Sequence, residues 1–140
     1  MKKISFLITI LLLTACVAKR GIITLPKNVT YNAEFKMLWA DFVEETKNKR
    51  SLKNYTPSDK LIQSHNLTRE DGEVFVSGFL FTTENFSIQD FESIKGALVN
   101  YGERTFTFRI PIKNIDKMVK TKGIKRIETT KNANLKINKL

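Results

Sequence analysis

The stretch VFVSGFLFT, residues 74 to 82, constrains the fold more than any other part of the sequence. It is rich in Val, Phe and Leu, which favour β-strands. Alternate side chains of a strand point to opposite faces of a sheet. One face of this strand therefore carries Val74, Val76 and Leu80, and the other carries Phe75, Phe79 and Phe81. A strand that is apolar on both faces normally lies at the centre of a sheet and is covered on both sides.

Two short helices are predicted after this strand. Ser87, with Asp90 three residues later, resembles a helix capping box, and Gly96 ends this first helix. Asn114 is predicted to cap the second helix, which Gly123 ends. The apolar residues of the two helices are Ile88, Phe91 and Ile94 in the first, and Ile115, Met118 and Val119 in the second.

Three further strands complete the order of elements. Residues 97 to 101 form a short strand, residues 104 to 112 alternate between apolar and polar positions, and residues 124 to 130 form the last strand. The order strand, helix, strand, strand, helix, strand predicts an α+β fold with a ferredoxin-like βαββαβ core. We expect a four-stranded antiparallel sheet with both helices on one face. Its first and third strands would be central.

A longer amphipathic helix is predicted before this core, beginning after Asn32. Its apolar positions recur at the helical period and form one stripe. They are Phe35, Leu38, Trp39, Phe42 and Val43. The sheet face that carries the three phenylalanines also needs a cover, which is either this helix or a partner protein. Between the two units, residues 61 to 70 are ambiguous and include a candidate edge strand, and Asp71-Gly72 predicts a tight turn.

The first residues of the chain have the pattern of an export signal. Lys2 and Lys3 precede an apolar run from Ile4 to Leu13, which is too short to span a bilayer. The sequence Leu-Thr-Ala-Cys that ends at Cys16 resembles the lipobox of bacterial lipoproteins, in which this cysteine is lipidated. Cys16 is the one cysteine of the chain, so an internal disulfide is excluded. The alternative is an ordinary signal peptide with a chance cysteine.

These features divide the chain into four segments. They are a signal peptide (1–15), a lipidated tether (16–31), the amphipathic helix and a linker (32–54), and the ferredoxin-like domain with its tail (55–140). Removing the two lysines of the signal lowers the formal charge from +10 to 10 − 2 = +8. Export disfavours nucleic acid as the partner of this basic surface, which leaves anionic lipid headgroups. No acidic cluster follows Cys16, which favours the periplasmic face of the outer membrane in the cell envelope.

No residue pattern in the sequence predicts catalysis, a metal or a cofactor. His65 is the one histidine and has no cysteine or acidic cluster at ligand spacing. No catalytic-serine motif and no Gly-rich phosphate loop are present, so we expect no enzyme and no small-molecule substrate. Phe106 and Phe108 alternate as in RNA-recognition domains, but Thr105 stands where those domains carry glycine. Together with export, this disfavours RNA binding.

The run from about Thr56 to Thr130 resembles the N-terminal propeptides of secreted subtilisin-like proteases. The matching features are the TPSD lead-in, Gly96, Ile110-Pro111, Gly123-Ile124 and Ile127-Glu128. The resemblance implies that an open sheet face docks on two helices of a protease, while the segment after the last strand occupies the substrate cleft. The residues that it implicates in partner binding are Phe75, Phe79, Phe81, Thr130, Lys131, Asn132, Ala133 and Asn134.

No protease domain follows before Leu140, which is a large departure from that family. Three hypotheses remain. The chain is a stand-alone, lipid-anchored inhibitor or folding chaperone of a subtilisin-like protease, an envelope lipoprotein that uses the fold for another protein contact, or the remnant of a truncated protease. Inhibition requires that the N-terminal helix leave the phenylalanine face uncovered.

Overall fold

The computed structural model describes residue 21 and residues 23 to 130. Over these residues the chain is an α+β structure, as the sequence predicts, with one mixed sheet and four short α-helices. The strands are β1 (Thr30–Tyr31), β2 (Thr68–Glu70), β3 (Glu73–Thr82), β4 (Ala97–Gly102), β5 (Thr105–Pro111) and β6 (Ile124–Thr129). The helices are α1 (Ala33–Thr46), α2 (Asp59–Ser64), α3 (Ile88–Ser93) and α4 (Ile115–Met118).

β3 is the central strand, because it pairs with three other strands. β5 runs antiparallel along one edge of it, from Phe75 opposite Pro111 to Phe81 opposite Thr105. The other edge pairs antiparallel with β6 over the C-terminal half of β3 and with β2 over its N-terminal half. The strand order is β1-β6-β3-β5-β4. The prediction of a central strand over residues 74 to 82 is confirmed.

The sheet has six strands and is mixed, whereas the sequence predicts four antiparallel strands. β1 is parallel to β6, and β2 forms a hairpin with β3 through Asp71 and Gly72, which both have positive φ. These two additional strands have two and three residues. They are too short to show the alternation of apolar and polar residues by which a strand is recognised in a sequence.

One hydrophobic core lies on one face of the sheet, and all four helices contribute to it. Along β3, burial alternates strictly, with Val74, Val76 and Leu80 buried and the three phenylalanines half-buried. α3 and α4 therefore lie on the same face, since Phe91 and Ile115 belong to this core. The largest fully buried side chains are Phe35, Phe42, Phe91, Phe108, Leu38, Leu80, Ile110, Ile112, Ile115, Met118, Ile127 and Val76.

α1 begins where its sequence predicts. The Asn32 side chain accepts a hydrogen bond from the backbone N–H of Phe35 (3.0 Å), which satisfies one of the free donors at the helix start. The same side chain also bonds both backbone groups of Thr129, so it joins α1 to the end of β6. Four of the five predicted stripe residues are buried in the core, and Val43 packs at its margin.

α2 is a helix that the sequence did not predict, since residues 61 to 70 were ambiguous and included only a candidate edge strand, which β2 occupies in part. Ser58 caps it by accepting from the N–H of Leu61 (3.2 Å). Glu45 of α1 holds this cap, because its carboxylate accepts from the Ser58 N–H (2.8 Å), the Ser58 hydroxyl (2.6 Å) and the Tyr55 hydroxyl (2.8 Å). Burial acts to raise the pKa of Glu45, but these hydrogen bonds and the nearby charge of Lys49 together lower it.

The two helices of the C-terminal half differ from the prediction in detail. Ser87 caps α3 by accepting from the N–H of Asp90, as predicted, but Ile88 of the predicted stripe is exposed. Asn114 makes no side-chain cap at α4; its amide donates to the carbonyl of Ile94 instead (2.9 Å). The Asn114 side chain therefore bonds a carbonyl at the end of α3 rather than a free backbone N–H at the start of α4.

Candidate functional site

The candidate site is the face of the sheet opposite the helices, which we call the open face. The strand pairings place alternate residues of four strands on it. They are Phe75, Ser77, Phe79 and Phe81 of β3, Thr105, Thr107 and Arg109 of β5, Val99 and Tyr101 of β4, and Arg126 and Glu128 of β6. The open face is thus aromatic along its central strand and polar or charged on either side.

Each phenylalanine of the open face contacts a cation or another ring. The guanidinium carbon of Arg109 lies 4.0 Å from the ring centroid of Phe75. Phe79 packs edge-on against Tyr101, with a centroid separation of 5.2 Å. The guanidinium of Arg126 lies 5.6 Å from the ring of Phe81. Such contacts are weakly favourable and fix the orientation of the rings, so the face is ordered before any partner binds.

Carboxylates balance the cations of the open face. Arg109 forms an ion pair of 2.6 Å with Glu70, and its side chain is only 18% exposed. Arg126 forms an ion pair with Glu128, which lies two residues further along β6. A third ion pair joins Glu73 to Lys113 at the end of the sheet, and the hydrogen bond from Lys113 lowers the pKa of the Glu73 carboxyl. The apolar surface of the face is therefore framed by closed ion pairs rather than by one sign of charge.

Most predicted partner-binding residues within the described part of the chain lie close together. Phe75, Phe79 and Phe81 share the open face and are half-buried. Thr130 is exposed, and it lines a small cleft with Phe75 and Ser77, so the segment after β6 begins beside the aromatic row. Lys131, Asn132, Ala133 and Asn134 lie outside the described residues, as does the predicted lipidation site Cys16.

α1 packs on the core face of the sheet. Its aromatic residues Phe35, Trp39 and Phe42 belong to the same buried cluster as Val76 and Leu80 of β3. α1 therefore covers one face of the sheet, and the three phenylalanines lie on the other face. The alternative that this helix folds across Phe75, Phe79 and Phe81 is wrong.

Sequence reasoning missed three residues of the open face, namely Tyr101, Arg109 and Arg126. Tyr101 is the last residue of the strand predicted over residues 97 to 101, and it lies on the open face, where the register of β4 shifts between Asn100 and Gly102. The alternation of apolar and polar residues in the β5 sequence did place Arg109 on the face opposite Phe108. Which ring the Arg109 guanidinium covers depends on the register between β5 and β3. The register between two strands is set by turn geometry and by which faces are buried, and it cannot be inferred from the residue pattern of one strand alone.

Another polar contact joins two helices. His65 bonds Asp41 of α1 (2.8 Å between Nε2 and the carboxylate) and so joins α2 to α1. Among the described residues, no group of three or more His, Cys, Asp and Glu side chains is placed to hold a metal ion. None of the helices described here has the length and apolar composition to cross a bilayer.

Comparison of the chain with protein-family models, with curated proteins and with solved structures finds no match. The function must therefore be inferred from the open face and its surroundings.

Proposed function

We propose that the chain is a non-enzymatic binding protein that docks a subtilisin-like serine protease on its open face, as a stand-alone inhibitor or folding chaperone. One observation carries this proposal. α1, which had the size and apolar stripe to cover Phe75, Phe79 and Phe81, lies on the other face of the sheet. A row of partly exposed aromatic rings on one sheet face is typical of surfaces that bind proteins.

The order of elements supports a ferredoxin-like core, which is the fold that the resemblance to subtilase propeptides implies. From β3 onward the chain runs β3, α3, β4, β5, α4, β6, and these strands lie in the order β6-β3-β5-β4. All neighbours in this group are antiparallel, and both helices pack on one face. In this assignment β1 and β2 are additions at one edge of the core.

The position of Thr130 supports a second contact with the protease. It follows β6 directly and lines the same cleft as Phe75, so a protease bound to the open face lies close to the point where the segment after β6 begins. An extended segment of this kind binds a cleft by pairing its backbone with the cleft edges. We propose that this segment enters the substrate cleft as a product would.

We further propose that Cys16 carries the lipid that anchors the chain at the periplasmic face of the outer membrane. Ile23, Leu25 and Val29 pack on the core, so the tether is the stretch from Cys16 to Ile23, whose 7 peptide units reach ~23–25 Å when fully extended. This reach allows the open face to turn away from the bilayer and towards a periplasmic protein. Metabolic labelling with palmitate tests the anchor, because labelling should disappear in the Cys16→Ser variant.

The decisive experiment measures inhibition of a panel of subtilisin-like proteases by residues 17–140, which include every described strand and helix. Phe79→Thr keeps a strand-forming residue but removes the central ring, so we expect the inhibition constant to rise at least ~30-fold, the effect of losing an interface hot spot. Ile88→Thr is the matched control, because Ile88 is exposed on α3, which packs on the opposite face of the sheet. Equal inhibition by both variants, or none by the parent at micromolar concentration, rejects the proposal.

A second candidate is an envelope interaction lipoprotein without protease affinity. It is favoured by the guanidinium groups that lie over rings of the open face. Arg109 lies over Phe75 and Arg126 over Phe81, so two of the three rings are partly covered by side chains of the chain itself. A docking protease would have to displace or incorporate these guanidinium groups. Absence of inhibition across the panel selects this second candidate.

A further inference from the structure

A basic cleft lies near the end of the sheet where β3 begins, between three chain segments that are distant in the sequence. Its described lining residues come from the chain after α1, from the end of α3 and from the segment around the start of α4. Five of these eleven residues are cations, namely Arg50, Lys53, Lys95, Lys113 and Lys117. Asp116 is the one acidic residue among the eleven, so together they carry a formal charge of 5 − 1 = +4.

Most of the cations in the basic cleft have no carboxylate partner. On the open face, by contrast, Arg109 and Arg126 both form ion pairs. In the basic cleft Lys113 pairs with Glu73, and within the described part of the chain the other four cations form no ion pair. The hydrogen bond and charge of Lys113 lower the pKa of Glu73, and the charge of Lys95 lowers it further. Even with Glu73 counted, the formal charge of the cleft is 4 − 1 = +3.

Lys95 occupies a backbone position that favours glycine, because its φ is +63°. It follows α3 in a Schellman motif, in which the Lys95 N–H donates to the Glu92 carbonyl (2.9 Å). The Gly96 N–H donates to the Phe91 carbonyl in the same motif (3.1 Å). A side chain in this left-handed conformation costs backbone energy that glycine avoids. The helix end would form more easily with glycine, so what the lysine adds is a cation in the basic cleft.

We propose that the basic cleft binds the phosphate group of an anionic ligand. Like charges that are held close together repel one another, and a bound anion relieves this repulsion. A phosphate monoester carries up to two negative charges and three acceptor oxygens, whereas a carboxylate carries one charge, and lysine ammonium groups bind phosphate as point charges. The cleft volume of about 490 Å³ lies in the range of small-ligand sites, so the ligand has a polar body beyond its phosphate. A phospholipid headgroup and a soluble phosphate compound both present this chemistry.

Titration calorimetry of residues 17–140 with inorganic phosphate measures the binding of a soluble phosphate. We expect a dissociation constant of roughly 1 mM or below. Lys95→Gln and Lys117→Gln should each weaken phosphate binding roughly tenfold, which is the effect of losing one hydrogen bond to a charged group. Acetate carries a single charge and should bind roughly tenfold more weakly than phosphate. Equal affinity for acetate and phosphate overturns phosphate as the ligand.

Lys125→Gln is the matched control for the loss of one positive charge. Lys125 is exposed and forms no ion pair with the described residues. It lies on β6 beside Thr82, at the other end of the ten-residue strand β3 from Glu73. A strand of this length spans ~30 Å, about three times the Debye length, so this substitution should change the dissociation constant less than about twofold. Equal losses for Lys125→Gln and Lys95→Gln mean that the anion responds to net charge alone, and they overturn the proposal.

Lys95→Gly separates phosphate binding from folding. Glycine adopts the positive φ of this position more easily than lysine, so the urea midpoint of the variant should be no lower than that of the parent. Its affinity for phosphate should nevertheless fall as far as that of Lys95→Gln. A Lys95→Gly variant that binds phosphate as tightly as the parent overturns the proposal.

Cosedimentation with vesicles distinguishes the two sources of phosphate. Vesicles of three parts phosphatidylcholine and one part phosphatidic acid present a phosphate monoester on a lipid, and phosphatidylcholine alone is the blank. If Lys95→Gln weakens binding more than Lys125→Gln with inorganic phosphate, a soluble compound is sufficient; if this difference occurs with the vesicles only, the lipid headgroup is required. Absence of binding to both probes overturns the proposal. Neither measurement depends on protease binding.

Discussion

Replacing Asn32 by Ala should destabilise the protein more than the loss of a helix cap alone. The Asn32 carboxamide oxygen accepts from the backbone N–H of Phe35 (3.0 Å) and of Thr129 (3.2 Å). Its amide group donates to the carbonyl of Thr129 (2.7 Å). One side chain therefore begins α1 and also continues the pairing of β6 beyond β1, and Ala removes all three bonds.

The magnitude follows from these three bonds. Loss of the cap costs about 1 kcal/mol. The two bonds to Thr129 contribute about 1 kcal/mol each, and Thr129 is only 7% exposed, so water replaces them poorly. The expected loss is about 3 kcal/mol of the free energy of unfolding. Ser87→Ala removes a cap alone, because Ser87 bonds the N–H of Asp90 and belongs to α3, and should cost about 1 kcal/mol.

Urea unfolding of residues 17–140, followed by circular dichroism, measures both variants. With a slope of about 1.5 kcal/mol per molar, typical of a small protein, the Asn32→Ala midpoint should fall by about 2 M and the Ser87→Ala midpoint by about 0.7 M. Asn32→Asp keeps the acceptor and loses the donor, so its midpoint should lie between them. Equal shifts for Asn32→Ala and Ser87→Ala would refute the double role of Asn32.

Three further predictions concern single side chains. Glu45→Gln should lower the free energy of unfolding by roughly 1–2 kcal/mol at pH 7, because three hydrogen bonds favour the carboxylate. The folded pKa of Glu45 lies below the ordinary value of 4.5, so this stabilisation is complete at neutral pH and is lost as the pH falls from 4.5 through the folded pKa. A difference in the free energy of unfolding between the parent and Glu45→Gln that stays constant down to pH 3 would contradict this reasoning. Gly123→Ala should cost more than Gly72→Ala in the same urea assay, roughly 2–5 against 1–2 kcal/mol, since both glycines have positive φ but only at Gly123 does a new Cβ meet backbone atoms. Asn114→Asp should cost about 1–2 kcal/mol, because Asn114 donates to the Ile94 carbonyl, whereas a capping role would tolerate Asp without loss.

The parts of the fold that follow from local pattern were predictable. The alternation of β3 and β5 and the stripe of α1 each depend on a fixed period. Burial follows this period strictly along β3 and at four of the five stripe residues of α1, whereas in β5 Thr107 is buried and Phe106 only partly so. Ser87 and Asp71-Gly72 act through bonds or dihedral angles within a few residues of themselves. In these cases sequence neighbours are also the physical partners, so the sequence contains the necessary information.

The parts that failed depend on partners far away in the chain. α2 has six residues and one buried side chain, and its cap is held by Glu45, which lies 13 residues before Ser58. A helix this short has little stability of its own, so its formation depends on the contact between its cap and Glu45. Asn114 bonds a carbonyl 20 residues away, and β1 exists because β6 lies beside it. Such features require the tertiary fold before they can be inferred.

The open face shows the same limit and also why we propose a partner for it. On this face β5 carries Thr105 and Thr107, which form strands well without exposing rings, whereas the neighbouring positions of β3 carry Phe81 and Phe79. Phenylalanine and threonine both favour strands, so strand formation alone does not select rings at positions that remain partly exposed, and these rings point away from the core. The rings gain some stability from their contacts with Arg109, Tyr101 and Arg126, but they remain partly exposed, which is the physical ground on which we propose that a second protein surface completes their burial.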